Sequence, residues 1–419
     1  MNSRERVRAA LEHKQPDYVP LDFGGCGQTG INASTLYKLR KAYGLEEKPI
    51  TVSEPYQMLG SVDDDLLEIV GGDIIPLLNP TNLMGTSNNK SKLWTMPDGT
   101  PVMMSDNFEF DVAESGDIFV YPCGDRTAEY SLHMPQGGSF FDNINRSQFD
   151  EDNLTPLDDY KDSYSVHTEE TCRYWEKESK RLFEETEYSI LGLLGGMGLG
   201  DAAELPGPFL KNPKGIRDME NWLMAHYLHP DYIKEVFAYQ TDIMLKNLEL
   251  YREAVGDRID AIWLSGTDFG TQNNLFFPVE LFEELYKPYY TKVNDWIHAN
   301  TKWKTFYHTC GAISSLIPDF IEMGMDIVNP VQCSASCMDP ETLKKQYGDK
   351  IVFWGAGVNT QQTLPYGTPD EVRNEVISRL NIFSDGGGFV FASIHNIVAN
   401  VPVENIIAMF DAIREFREL

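Results

Sequence analysis

The chain has 419 residues, 42% of them hydrophobic, which is enough to bury one large core. Its 64 acidic residues against 35 basic ones give a formal net charge of −29. That charge repels phosphate backbones and anionic lipid surfaces, so nucleic acid and membrane are poor partners, whereas a basic protein or a cationic ligand is easier to reconcile.

The opening residues Asn2 to His13 predict an amphipathic helix capped by Asn2 or Ser3, with Pro16 and Pro20 preventing its continuation. Tyr18 to Phe23 reads as a short strand, residues 33–43 as a helix, Asp63 to Val70 as a helix and Asp73 to Leu78 as a strand. From about 80 to 150 the pattern becomes irregular and β-rich, with a turn signal at Met96-Pro97-Asp98-Gly99. A charged helix is predicted over 155–185. After residue 188 the alternation becomes regular. Strands are expected at 189–194, 259–264, 304–307, 326–329, 351–354 and 388–392. Helices at 214–227, 230–255, 278–300, 313–323, 340–347, 369–383 and 402–418 separate or follow them. Short connections between strands and helices argue for a parallel sheet. The number of units favours a (β/α)8 TIM barrel over an open doubly wound sheet. The expected organisation is a single TIM-barrel domain over 1–419, with an irregular β-rich insertion at about 80–150 in the N-terminal half. No stretch is long and apolar enough to span a membrane, and the charged N-terminus leads into no apolar signal region, so the expected location is cytoplasmic.

In a barrel the active site lies where the strands end. Polar residues follow the predicted strands at Asp201, Glu204, Asp268, His308, Cys310, Gln332, Asn359 and His395. The sharpest local feature is His308-Thr309-Cys310-Gly311. A strand end followed by a turn aims side chains at i and i+2 towards one point, and imidazole nitrogen and thiolate sulfur are ligands that zinc favours. A catalytic zinc takes three protein ligands and keeps one position open. His395, after the last strand, is the natural third, with Cys333 as the fallback. The competing reading is a structural cysteine beside a hydrogen-bonded histidine. The six cysteines form no small disulfide framework, which suits a reducing compartment. Cys333 and Cys337 have C-x3-C spacing and read more simply as loop residues. Asp268 reads equally as a base, a substrate partner or a helix cap. Gly386-Gly387-Gly388 precedes a strand and serves a turn rather than a dinucleotide.

Several stretches together resemble the uroporphyrinogen decarboxylase-like superfamily: GLGDAA (198–203), SGTDFGTQN (265–273), FYHTCG (306–311), NPVQ (329–332), LKKQYGDKIVFWGAGV (343–358), LPYGTPDEV (364–372) and SIHNIVANVPVENI (393–406). The resemblance covers nearly the whole chain, is best after residue 188, and implies a (β/α)8 barrel. True decarboxylases of that family carry arginines in an N-terminal segment. Here the corresponding VPLDFGGCGQTG (19–30) has none, although a porphyrinogen with eight carboxylates needs cationic partners.

The resemblance to the corrinoid-dependent branch, and within it to O-demethylase-type methyltransferases, implies a different chemistry. A zinc held by His308, Cys310 and His395 would polarise the bond to a methyl group, and the cobalt of a corrinoid on a partner protein would accept it. Family members resembling the coenzyme M enzymes have cysteine where this chain has His395, which leaves the third ligand open. Asp268 and Gln332, with His308, are the residues implied for catalysis, orienting a small, methoxylated substrate. A uroporphyrinogen decarboxylase-like lyase and a non-catalytic binding protein are the alternatives. Neither the methyl donor nor the direction of transfer follows from the sequence, and a homodimer is compatible with it.

Overall fold

The computed structural model describes residues 1–147 and 149–418; Gln148 and Leu419, inside the spans assigned above, lie outside them. Its centre is a seven-stranded, all-parallel sheet: β1 (Ile74–Leu77), β2 (Ser189–Gly192), β3 (Ala261–Ser265), β4 (Lys304–His308), β5 (Ile327–Asn329), β6 (Val352–Trp354) and β7 (Phe389–Val390). The strands neighbour one another in chain order. Most of their residues are buried, on both faces of the sheet, as expected where helices cover one side and a core fills the other.

The sheet curls until its edges nearly meet. The predicted strand at 18–23 is reduced to one parallel bridge, Leu21 with Phe391. The Leu21 carbonyl accepts from Asp73 N–H (2.8 Å) at the start of β1, while Asp22 N–H donates to the Phe391 carbonyl (2.8 Å) beyond β7. Residues 20–22 therefore touch both edges. Prolines 16 and 20 remove backbone donors on this segment, which explains why it pairs so briefly.

Inside the curl, Ile74, Leu191, Ala261, Phe306, Ile327, Val352 and Val390 point inward from successive strands and pack with Val7, Ala10 and Leu11. Those last three belong to the first helix, Ser3–Leu11, which plugs one end. Its start is set by a capping box: Asn2 Oδ1 accepts from Glu5 N–H (2.9 Å), and Glu5 Oε2 accepts from Asn2 N–H (3.1 Å). Arg6 on this helix is buried and pairs with Asp73 (2.6 Å). Arg8 pairs with Asp260 (2.6 Å), just before β3.

Several helices differ from their predicted spans. The 155–185 segment is two helices, Pro156–Tyr160 and Glu169–Glu185. The predicted 278–300 helix breaks at Tyr286 into Val279–Leu285 and Lys287–Asn300, because Pro288 lacks an N–H and can sit only in a first turn. The helix expected at 214–227 begins at Met219, where Asp218 caps it by accepting from Asn221 N–H (2.9 Å).

Between β1 and β2 the chain forms antiparallel strands. One hairpin, Ser91–Thr95 with Pro101–Ser105, turns at Pro97-Asp98-Gly99. It joins Ile50–Glu54 and Leu59–Gly60 in a five-stranded sheet, and 110–143 supplies a four-stranded one. Among the described residues no helix is long and apolar enough to cross a membrane.

Candidate metal centre

His308 is the last residue of β4 and lies opposite Asn329, the last residue of β5. That register brings Asn329 Oδ1 within 2.6 Å of His308 Nδ1. Asn329 Nδ2 donates to the Trp354 carbonyl (2.9 Å), so its oxygen must face the imidazole and accept. The Nδ1 proton is thereby assigned, and Nε2 is left with its lone pair. Nε2 lies 3.3 Å from Cys310 Sγ. The His395 ring stands edge-on to His308 with centroids 5.4 Å apart. One ligand atom from each of His308, Cys310 and His395 lies within 4.8 Å of the others.

The loop that presents Cys310 is held by its own backbone. Asp268, after β3, accepts from Cys310 N–H (2.6 Å), and its Oδ1 is 3.9 Å from His308 Nε2. Gln332, after β5, accepts from Gly311 N–H (2.8 Å) and donates to Gln272 Oε1 (3.1 Å). Thr309 Oγ1 accepts from Phe269 N–H (3.0 Å). Gly311 has φ +97°, and a Cβ there would meet Gly270 backbone atoms at 2.4 Å, so only glycine fits. These bonds give Asp268 and Gln332 positioning roles on the loop.

Burial lowers the pKa of His308 to about 4, opposed by its bond to Asn329. Burial, and then the neighbouring His308, lowers His395 to about 4. Both imidazoles are therefore neutral near pH 7, the form that binds metals. Burial, then the Asp268 carboxylate, raises the Cys310 thiol well above its ordinary range. The donor set suits a borderline-soft dication. Zinc bonds of about 2.0–2.3 Å in a tetrahedron put ligand atoms roughly 3.3–3.8 Å apart. The 3.3 Å N···S separation meets that requirement before any rearrangement.

Cys333 does not join the cluster; its thiol packs against the hydrophobic core and burial raises its pKa to about 11. Cys337 is exposed. Asn359 caps a turn, accepting from Gln361 N–H (2.8 Å) and Gln362 N–H (3.1 Å). Asn329 was visible in the NPVQ stretch but had no assigned role, because its partnership with His308 exists only through strand register.

On the same face, beside β1 to β3, lies a cavity of about 480 Å³. Asp201 and Glu204 line it together with Glu54 from the N-terminal sheet. Burial raises the Asp201 carboxyl, and burial followed by Asp201 raises that of Glu204. A hydrogen bond from Asn396 Nδ2 to Gln57 Oε1 (2.6 Å) joins the residue beside His395 to the cavity wall.

Residues 210–416 match the family model of uroporphyrinogen decarboxylase (URO-D). Among curated relatives, the uroporphyrinogen decarboxylase of Psychromonas ingrahamii is 36% identical over 78 residues, covering 19% of this chain and 21% of that protein. That of Pseudoalteromonas translucida is 36% identical over 73 residues, covering 17% and 20%. The chain thus aligns with about a fifth of the length of these relatives. Among solved structures, a methyltransferase from Methanosarcina mazei superposes with a TM-score of 0.57 at 15% identity over 99% of both chains, a likeness of fold. Over residues 210–416 the chain is thus similar to the uroporphyrinogen decarboxylase family.

Proposed function

We propose that this protein is a zinc-dependent methyltransferase of the cytoplasm. It moves a methyl group between a small methylated substrate, methoxylated on the sequence reading, and the cobalt of a corrinoid carried by a partner protein. We read the curled sheet, with residues 20–22 bridging its edges, as a (β/α)8 barrel of one domain. The observation that carries the functional reading is the convergence of His308 Nε2, Cys310 Sγ and His395, with Asn329 holding His308 in the metal-binding tautomer. These three residues would hold the zinc and leave one position open. Bound there, zinc supplies Lewis acidity at the heteroatom from which methyl departs. Asp268 and Gln332 keep the Cys310 loop in place, and the Asp268 carboxylate adjoins the open side of His308.

The lining of the cavity weighs against a polycarboxylate substrate. Its one Arg or Lys, Arg217, spends its guanidinium on the carbonyls of Lys214 (2.7 Å) and Asp159 (2.7 Å).

Elemental analysis of the purified chain tests the reading, together with methyl-transfer assays that include a reduced corrinoid protein. One zinc per chain is expected. Its content should fall in His308→Ala, Cys310→Ala and His395→Ala, with transfer reduced at least ~100-fold. Carbon dioxide release from a porphyrinogen without a corrinoid partner, undiminished by chelation, would replace this reading with the decarboxylase one.

A further inference from the structure

Among the described residues, the cavity carboxyls Glu54, Asp201 and Glu204 have no ion-pair partner. Glu54 Oε1 accepts from Tyr56 N–H (2.9 Å) and Oε2 from Gln57 N–H (2.8 Å). Asp201 Oδ1 accepts from Ala203 N–H (2.8 Å) and Glu204 N–H (3.3 Å). Among the described residues, nothing donates to Asp201 Oδ2 or to either oxygen of Glu204. Asp201 is nonetheless only 8% exposed. Burial raises both carboxyls, so the empty cavity favours their protonated forms, and a bound cation would supply the counter-charge that ionises them.

Two glycines clear the space into which these oxygens point. A Cβ on Gly198 would lie 2.5 Å from Glu204 Oε2. A Cβ on Gly266 would lie 2.9 Å from Asp201 Oδ2 and 3.3 Å from the Trp263 ring. Asp201 and the indole therefore border the same space, and Trp263 lines the cavity. A further acceptor lies on the wall. Gln240 donates through Nε2 to the Gly196 carbonyl (3.0 Å), leaving Oε1 buried without a donor.

Carboxylates without an ion-pair partner beside an indole ring are a receptor for an organic cation. An alkylated ammonium gains from the ring quadrupole and from the charges, and it loses less hydration than a primary ammonium. The volume suits a ligand of small-metabolite size. We propose that this cavity binds a small organic cation with an N-methylated ammonium head, seated between Asp201, Glu204 and Trp263. The inference goes beyond the methyltransferase reading: a quaternary nitrogen has no lone pair to offer zinc, so the cation is a ligand of the cavity, and its site stands without metal or corrinoid.

Calorimetry on the full-length, zinc-free chain separates the two. The probes are choline, its neutral isostere 3,3-dimethyl-1-butanol, and vanillate as a methoxylated anion. Choline is expected to bind at least tenfold more tightly than the isostere, with vanillate weaker still. Asp201→Asn and Glu204→Gln should each weaken choline at least tenfold while hardly changing the isostere. Trp263→Phe should retain more affinity than Trp263→Leu. Equal binding of choline and its isostere by the wild-type chain, or preference for vanillate, overturns the proposal whether or not any variant folds. Choline binding by a chain that is purified without zinc and takes up none would sink the enzymatic reading and leave this one intact.

Discussion

At the scale of single residues, the candidate metal centre depends on which nitrogen of His308 carries the proton. Asn329 decides this, since its own amide donates to Trp354 and only its oxygen is free to accept. Asn329→Leu removes the acceptor and leaves Nδ1 buried without a partner. Zinc affinity is expected to fall about 10–100-fold while the far-UV spectrum is unchanged, as measured by competition with a chromophoric chelator. A second expectation concerns protons. His308 and His395, held at about 4, are already deprotonated above pH 6, whereas the raised Cys310 thiol is still protonated. Zinc binding at pH 7 should therefore release one proton, from Cys310, and affinity should rise about tenfold per pH unit. Titrations in buffers of different ionisation enthalpy count that proton. Cys310→Ser should bind zinc more weakly and release none.

At the scale of elements, Asp73 ties three distant parts of the chain to the start of β1. It accepts from Arg6 of the first helix (2.6 Å), Arg417 of the last helix (3.0 Å) and Leu21 N–H (2.9 Å). The carboxylate and Arg6 are buried, so removing the charge strands cations in a low-dielectric site. Asp73→Asn is expected to cost about 3 kcal/mol. Urea unfolding should show the midpoint moving down, with zinc stoichiometry kept in the surviving native protein. The helix ends were legible where a cap is local: Asn2, three residues before Glu5, forms the capping box that the sequence announces. The break at Tyr286 was less legible, because apolar periodicity runs through it and only Pro288 marks it.

At the scale of the whole molecule, curling of the sheet brings strand ends to one face, where the candidate metal centre and the cavity lie side by side. The sequence by itself determined the parallel alternation after residue 188, since short apolar runs and caps are local properties. It also determined the pairing of His308 with Cys310, since an i, i+2 spacing at a strand end is local too. Only the tertiary structure decided that His395 rather than Cys333 joins them, because strand order sets which loops meet. It likewise decided that Asn329 orients His308, through a register that no spacing reveals. The cavity is the clearest case. Asp201 and Glu204 were visible after β2, but their loop acquires its meaning from Glu54 and Trp263, which sit on other strands. His308, Cys310 and His395 form a candidate three-residue centre beside a chamber lined by carboxyls. Local chemistry put two of its members at one strand end, and long-range packing supplied the third and its neighbour.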